Sequence, residues 1–172
     1  MREGGLVPTV TLRPMRQDDV PAMAAWGEDP EFVAAAEWGV RTPPARRVFW
    51  QRVLDAPPPD LIRLAAVLDR TLVGHVDLHG TEPDRRELGF VIARPYWGRG
   101  VGTAAARAGL AYGFGELGLE RIWAEAWATN AASVAILDRL MRRTGTGKDG
   151  HYRGSPTHYV QFEISREEWL AG

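Results

Sequence analysis

The sequence predicts an α/β (α+β) fold in which helices accompany a sheet containing three antiparallel strands. Three observations carry that expectation: two apolar strands meeting around Asp69-Arg70-Thr71, a helical run that begins at Val101 directly after a glycine turn, and a second helical run from Asn130 that precedes an alternating tail. In order along the chain, Val10-Thr11-Leu12-Arg13 reads as a first strand ended by Pro14, and Asp18 or Asp19 caps a helix with Pro21 in its first turn that runs to about Gly27. A second helix fits Ala45 to Asp55, between Pro43-Pro44 and the rigid Pro57-Pro58-Pro59. Ile62 to Leu68 and Leu72 to Leu78 form a hairpin, and Glu87 to Ala93 adds a third antiparallel strand. Helical spacing covers Val101 to Leu117, stopped by Gly118, and Asn130 to Arg143, where Val134, Leu137 and Met141 share a face. Arg121 to Ala126 and Thr157 to Ile164 are strands, and a short polar ending closes at Trp169. With no repeat, low-complexity tract or linker, residues 1–172 read as one domain.

Composition narrows the function classes. Hydrophobic residues at 45% and charged residues at 25% are ordinary for a globular chain, and a net charge of −1 gives no basic field for a nucleic-acid backbone. The absence of cysteine removes disulfides, thiolate metal ligands and an acyl-cysteine intermediate together. Met1-Arg2-Glu3-Gly4-Gly5 lacks the apolar core of a signal peptide, and no apolar run suits a bilayer span, so a cytoplasmic protein with neither membrane nor nucleic-acid partner is expected.

The segment richest in chemistry is Ile92-Ala93-Arg94-Pro95-Tyr96-Trp97-Gly98-Arg99-Gly100-Val101-Gly102-Thr103, a strand-to-helix junction through alternating glycines. Such a turn presents successive backbone N–H groups unobstructed by Cβ atoms, and the helix behind it adds unsatisfied amides and its positive dipole end. It is an anion cradle or, in the plainer alternative, a packing turn. It is no P-loop, since Gly102-Thr103-Ala104 supplies no lysine, and its spacing and late position do not fit a dinucleotide fingerprint.

These residues resemble the GNAT acetyltransferases, whose pyrophosphate loop reads Gln/Arg-x-x-Gly-x-Gly/Ala. Trp97-Gly98-Arg99-Gly100-Val101-Gly102 matches the small positions, with Trp97 in place of Gln or Arg as in the branch of the RimJ and RimL ribosomal-protein N-terminal acetyltransferases. The resemblance extends through Leu12-Arg13-Pro14, Glu87-Leu88-Gly89-Phe90, Asn130-Ala131-Ala132-Ser133 and Glu167-Glu168-Trp169. It implies a mixed, mostly antiparallel six- or seven-stranded sheet split by a bulge between the Glu87 and Arg121 strands, about four flanking helices, and acetyl-CoA as cosubstrate. In that picture the backbone at Phe90, Val91 and Ile92 pairs with pantetheine. Trp97, Gly98, Arg99, Gly100, Val101, Gly102 and Thr103 hold the pyrophosphate, while Asn130 and Ser133 face the pantetheine or thiol end. Asn130 equally suits a helix N-cap, and Ser133 a neutral first-turn position.

The implied reaction carries an acetyl group directly to an amine acceptor, a peptide N-terminus or a small molecule, in a protein expected to be a monomer or homodimer. A free α-amine is about one-seventh neutral at pH 7 and a lysine only about one part in 2,500, so N-termini need less help from a base. Glu87 is the first candidate base, three residues before the aromatic Phe90; its alternative is an exposed strand residue pairing with Arg85 or Arg86. Glu125 is the second, sharing a strand face with Trp123 and Trp127. For the departing thiolate, many family members use a tyrosine where Leu137 stands here, so Ser133 is the candidate partner of the sulfur. The family's Gly-Phe after the last helix is replaced by Met141-Arg142, with a turn expected at Gly145-Thr146-Gly147. The missing tyrosine leaves a non-catalytic CoA-binding module as the rival function.

His75, Asp77 and His79 alternate on one strand face in the manner of metal ligands, yet same-face strand residues are more often a solvated or substrate-facing row, and no metal is expected. Arg46-Arg47 and Arg142-Arg143 read as solvated helix charges or contacts of the CoA 3′-phosphate, and Trp26, Trp38 and Trp50 as core.

Overall fold

Strand alternation builds the sheet. The computed structural model describes residues 8–39 and 41–172, so the leader reading of Met1 to Gly5 lies outside the described residues. The strands are β1 Thr11–Pro14, β2 Leu61–Leu68, β3 Thr71–His79, β4 Arg85–Ile92, β5 Arg121–Trp127, β6 Arg142–Tyr152 and β7 Ser155–Ser165. They form one seven-stranded sheet in the order β1-β2-β3-β4-β5-β7-β6, antiparallel throughout except for the parallel contact of β4 with β5. The β2–β3 hairpin turns on Asp69 and Arg70, with φ of 47° and 66°, the backbone of a primed two-residue turn whose twist matches the strands it joins.

Six α-helices lie among the described residues: α1 Val20–Trp26, α2 Pro30–Ala35, α3 Pro43–Asp55, α4 Val101–Gly115, α5 Ala131–Leu140 and α6 Arg166–Ala171. One sheet face is apolar. Val76, Leu78, Leu88, Ile92, Ile122, Ala124, Phe162 and Ile164 bury there against Val101, Ala105, Leu110 and Phe114 of α4 and Leu137 and Leu140 of α5. Helix α4 sits close because Gly109 and Gly113 present no side chain: a Cβ at Gly109 would come within 2.7 Å of Val76, and one at Gly113 within 2.6 Å of Ile122. The opposite face carries charged and aromatic residues under α1, α2 and α3. Val20, Met23 and Trp50 form a second cluster there with Trp26 and Trp38, as expected of tryptophans that belong to the core.

Several expectations change. The helix from Asn130 ends at Leu140, and Arg142 and Arg143 begin β6, so the expected Gly145-Thr146-Gly147 turn lies inside a strand. Both arginines pair with acids on the sheet and neighbouring helices, Arg142 with Glu163 and Glu168 and Arg143 with Asp138, so they are not helix charges. Arg46 is buried, donating to the carbonyls of Ala24 and Arg41. Asp19 stands at the N-cap position of α1 without capping it, because its carboxylate is taken by the Arg13 guanidinium and the Arg16 amide. Helix α2 adds to the expected set; Asp29 caps it, with Pro30 as its first residue. The polar ending is α6, closed by a reciprocal pair in which Ser165 Oγ accepts from the Glu168 amide and Glu168 accepts from the Ser165 amide.

Candidate active site

The glycine turn grows out of the end of β4. After Ile92 the chain makes a single 3-10 turn, Arg94–Tyr96, and enters α4 through Gly98 at φ 68° and Gly100 at φ 77°, the latter at the helix N-cap. Glycine adopts this left-handed backbone freely, whereas a Cβ makes it costly. The first amides of α4, at Val101, Gly102 and Thr103, have no carbonyl a turn earlier in the helix to bond. Trp97, at the position where the resemblance departs from Gln or Arg, donates its indole N–H to the Ile92 carbonyl at 2.7 Å. The side chain thereby ties the turn to the strand that launches it.

Behind the turn the sheet opens. Strands β4 and β5 are in register only from Arg85 to Glu87 against Arg121 to Trp123, and then part. The split is a divergence of the two strands; the register irregularities of the sheet lie in β2–β3 and β6–β7. A cleft of about 470 Å³ occupies the opening. Phe90, Val91, Ile92, Trp97, Gly98, Gly100, Gly102, Thr103, Asn130 and Ser133 all line it, so residues spread over some forty positions of sequence meet in one cavity. Arg99 points away, over the Tyr96 ring, and the Val101 side chain is buried in the core, leaving only its backbone for the turn. Asn130 does make the N-cap, its Oδ1 accepting from the Ser133 amide at 3.3 Å, and lines the cleft as well.

Sequence reasoning missed the far wall. Phe32, Ala35 and Ala36 reach the cleft from α2, and Tyr152 and Arg153 from the β6–β7 turn. Tyr152 donates to the Ala35 carbonyl at 3.2 Å and Arg153 pairs with Glu31 at 2.6 Å, while Arg94 beside the glycine turn pairs with Asp29 at 3.0 Å. Helix α2 is thus fastened to both ends of the cavity. The Asp29-Pro30 pair carried a legible helix start, but nothing in the sequence linked it to a hairpin more than a hundred residues later.

The candidate bases occupy the polar face. Glu87 is half-buried, level with His79 across β3 and with Trp123 across β5. It shares its face with Gly89 and Val91, and Val91 reaches the cleft. Burial raises the Glu87 carboxyl above its ordinary value and the nearby Glu125 carboxylate raises it further, with His79 opposing both. Glu125 accepts from Gln161 Nε2 at 3.2 Å. The next residue of that face, Trp127, stacks on Tyr159 with centroids 3.5 Å apart and donates to Glu37 at 2.7 Å. Burial, then Glu37, Glu125 and Glu87, push the Tyr159 hydroxyl up. Gly147 and Gly150 let β6 fold against this group: a Cβ at Gly150 would stand 2.5 Å from the Trp127 ring. Neither Glu87 nor Glu125 lines the main cleft, and Leu137, at the place where a tyrosine is common, is core.

The row His75, Asp77 and His79 is an ion-pair site. Arg63 grips Asp77 with two bonds of 2.7 and 2.6 Å, while His75 Nδ1 lies 3.2 Å and His79 Nε2 3.6 Å from its oxygens. Burial raises the Asp77 carboxyl, but His75, the Arg63 fork and His79 outweigh it and hold Asp77 well below the usual carboxylate range. The carboxylate that would bind a cation is already committed to a guanidinium.

A left-handed glycine turn feeds a helix N-terminus at the mouth of a sheet whose parallel strands β4 and β5 part, which sets an anion-binding end beside an unpaired strand edge. The model of the acetyltransferase (GNAT) domain matches residues 9–140, and the chain belongs to that family. A candidate ribosomal N-acetyltransferase of Bacillus subtilis, YdaF, is 32% identical over 112 residues, 63% of this chain and 61% of that protein. The FsC-acetyl coenzyme A-N(2)-transacetylase of Aspergillus fumigatus is 33% identical over 95 residues, 51% of this chain and 39% of that protein, so in both cases the match spans less than two thirds of the relative. Among solved structures, a GNAT-family acetyltransferase of Bacillus anthracis superposes with a TM-score of 0.78 at 26% identity, covering 94% of this chain and 98% of that one. Spermidine N-acetyltransferase of Vibrio cholerae, solved with CoA and spermine, shares the fold at a TM-score of 0.78 and 16% identity, with 94% and 98% covered.

Proposed function

We propose that the chain, as one acetyltransferase domain over residues 1–172, moves the acetyl group of acetyl-CoA directly to an amine, either a protein N-terminal α-amine or a small-molecule amine. The observation that carries this reading is the continuity of the glycine turn with the opening between β4 and β5. That cavity joins an anion-binding end to a strand edge and reaches the face on which a half-buried glutamate stands. The chain's residues fit acetyl-CoA there. Beyond Glu87 the β4 backbone has no β5 partner, leaving polar groups of Phe90, Val91 and Ile92 for an extended amide chain, and the amides from Gly98 to Thr103 suit a pyrophosphate.

When bound, acetyl-CoA supplies the thioester that the amine attacks. Glu87 removes the proton that the attacking amine sheds, and its raised carboxyl brings it nearer the amine in basicity than an exposed glutamate. Glu125, one step along the neighbouring strand, is the second candidate for that role. The Ser133 hydroxyl, on the first turn of α5, hydrogen-bonds the sulfur as it leaves, while cleft walls fixed by α2 hold the reactants in line. Glu87 and Glu125, with Glu37 bonded to the Trp127 indole on the same face, favour an acceptor that arrives as an ammonium. The sequence of the glycine turn, together with the similarity to YdaF, supports placement in the RimJ and RimL branch.

Acetyl-CoA consumption with a panel of peptides, amino acids, polyamines and aminoglycosides tests the reading. Turnover with at least one class is expected, and loss of that turnover in Glu87→Gln assigns the base. CoA binding without turnover across the whole panel would overturn catalysis in favour of the binding-module function.

A further inference from the structure

His79 is the cationic-capable side chain that stands opposite Glu87. The two are direct partners across the antiparallel β3–β4 pair, where facing side chains lie within reach of each other's charge. His79 is held there from behind. Its Nε2 lies 3.6 Å from Asp77, whose carboxylate is itself fixed by the two-pronged grip of Arg63 from β2. Gly89, the next residue of that face on β4, leaves open the space beside them: a Cβ there would lie 4.0 Å from His79 Nε2 and 3.7 Å from Asp77. The opposing influence comes from β5, where Glu125 faces the same ground; Tyr159 of β7 lies near both glutamates, and Arg85, two residues before Glu87 on β4, has its guanidinium over the Trp123 ring and is paired with Glu163 of β7.

Resting on the reading of Glu87 as base, we propose that His79, anchored by Asp77 and Arg63, is a positioning residue that sets the pH at which Glu87 becomes able to accept the amine proton. The physical case is a balance of charge. A carboxylate that is half-buried and near a second carboxylate resists ionising, and without an opposing charge Glu87 would stay protonated further up the pH scale. A histidine cation across the strand pair offsets both influences. Asp77 keeps that cation in place, its contact and charge holding the His79 imidazolium above the ordinary histidine value against partial burial and the repulsion of Arg63. With Asp77 beside it, His79 keeps its proton to higher pH than a free imidazole does, and its charge stands across the strand pair from Glu87. The ring is also 42% exposed on its side chain, so it equilibrates with solvent and needs no local opening to change state.

Two substitutions move Glu87 in opposite directions. Carboxyl-carbon NMR titration of full-length protein labelled at glutamate reads the Glu87 midpoint without any acceptor. In His79→Gln the midpoint rises with the loss of the facing charge, and His79→Lys returns it most of the way. In Glu125→Gln it falls. Asp77→Asn, which loosens the anchor, shifts the midpoint in the direction of His79→Gln. The acid limb of kcat/KM for acetyl transfer to the best acceptor of the panel follows the same order. An unmoved Glu87 midpoint in His79→Gln, with the fold intact by circular dichroism, overturns the inference. That failure is separable from failure of the base reading: if Glu87→Gln retains full turnover, the base is elsewhere even where the NMR shifts occur as stated.

Discussion

At the residue scale, the two best-defined requirements are a backbone angle and a buried charge. Gly100 holds φ at 77° where α4 begins, so Gly100→Ala should cost about 1 kcal/mol or more of stability. It should also weaken CoA binding severalfold by turning the first amides, while leaving the far end of the cavity unchanged; urea unfolding and calorimetric titration with CoA measure the two effects. Asp77 sits in a deeper trap. Its carboxyl is held below the usual range in the folded chain, so its contribution to stability is fully present at neutral pH and fades only as pH falls below the unfolded carboxylate value toward the lower folded one. Asp77→Asn leaves Arg63 without its partner at a largely buried site and should cost about 3 kcal/mol at pH 7, with the gap to wild type narrowing as the solution is acidified. A constant gap across pH in urea melts would contradict that account. Both residues were visible in the sequence, but in different degrees. Gly100 was legible because alternating glycines before a helical run mark a turn that needs their backbone freedom, whereas His75, Asp77 and His79 read as a solvated or substrate-facing row because nothing local announces the partner from β2.

At the element scale, α4 was readable and its fit was not. Periodicity placed the helix from Val101, and its end fell two residues short of the expected Leu117. What periodicity leaves out is how near a helix may approach. Gly109 faces Val76 and Leu88 at distances no side chain could share, so Gly109→Val should destabilise by about 1 to 3 kcal/mol through overpacking, although valine by itself is the better helix former. Chemical denaturation decides between a net loss and the gain that helix propensity alone would give. Strand β6 shows the converse difficulty. Arg142 to Tyr152 is rich in glycine and charge and has no apolar alternation, so it has no strand signature of its own and is drawn into the sheet by pairing with β7. The helix preceding it was read too long for the same reason: Met141 is buried and extends the apolar spacing of α5 across the point where the backbone has already turned into a strand.

At the scale of the whole molecule, the N-terminal helices and the C-terminal hairpin meet over the cleft through Arg153 and Glu31 and through Tyr152 and Ala35, and Trp127 at the end of β5 adds a bond to Glu37 just after α2. Such long-range partners cannot be read from spacing, which explains why the glycine turn and Asn130 were found by sequence while half of the cavity wall was not. A ligand spanning this cleft touches elements from both ends of the chain and should raise the melting temperature in proportion to its occupancy. CoA at about a hundred times its dissociation constant should add about 2.7 kcal/mol, seen as a midpoint that climbs with CoA concentration. Adenosine, which lacks the phosphates and the pantetheine arm, should give far less. The parting of β4 from β5 gives this a further meaning. Only Arg85 to Glu87 are laced to the neighbouring strand, so the sheet is two plates sharing a short hinge, and the backbone groups that fold formation leaves without rungs are the ones a guest molecule can complete. Folding and binding then draw on one stock of main-chain partners, and the empty protein should exchange the amide protons beside the hinge faster than those of the laced strands on either side.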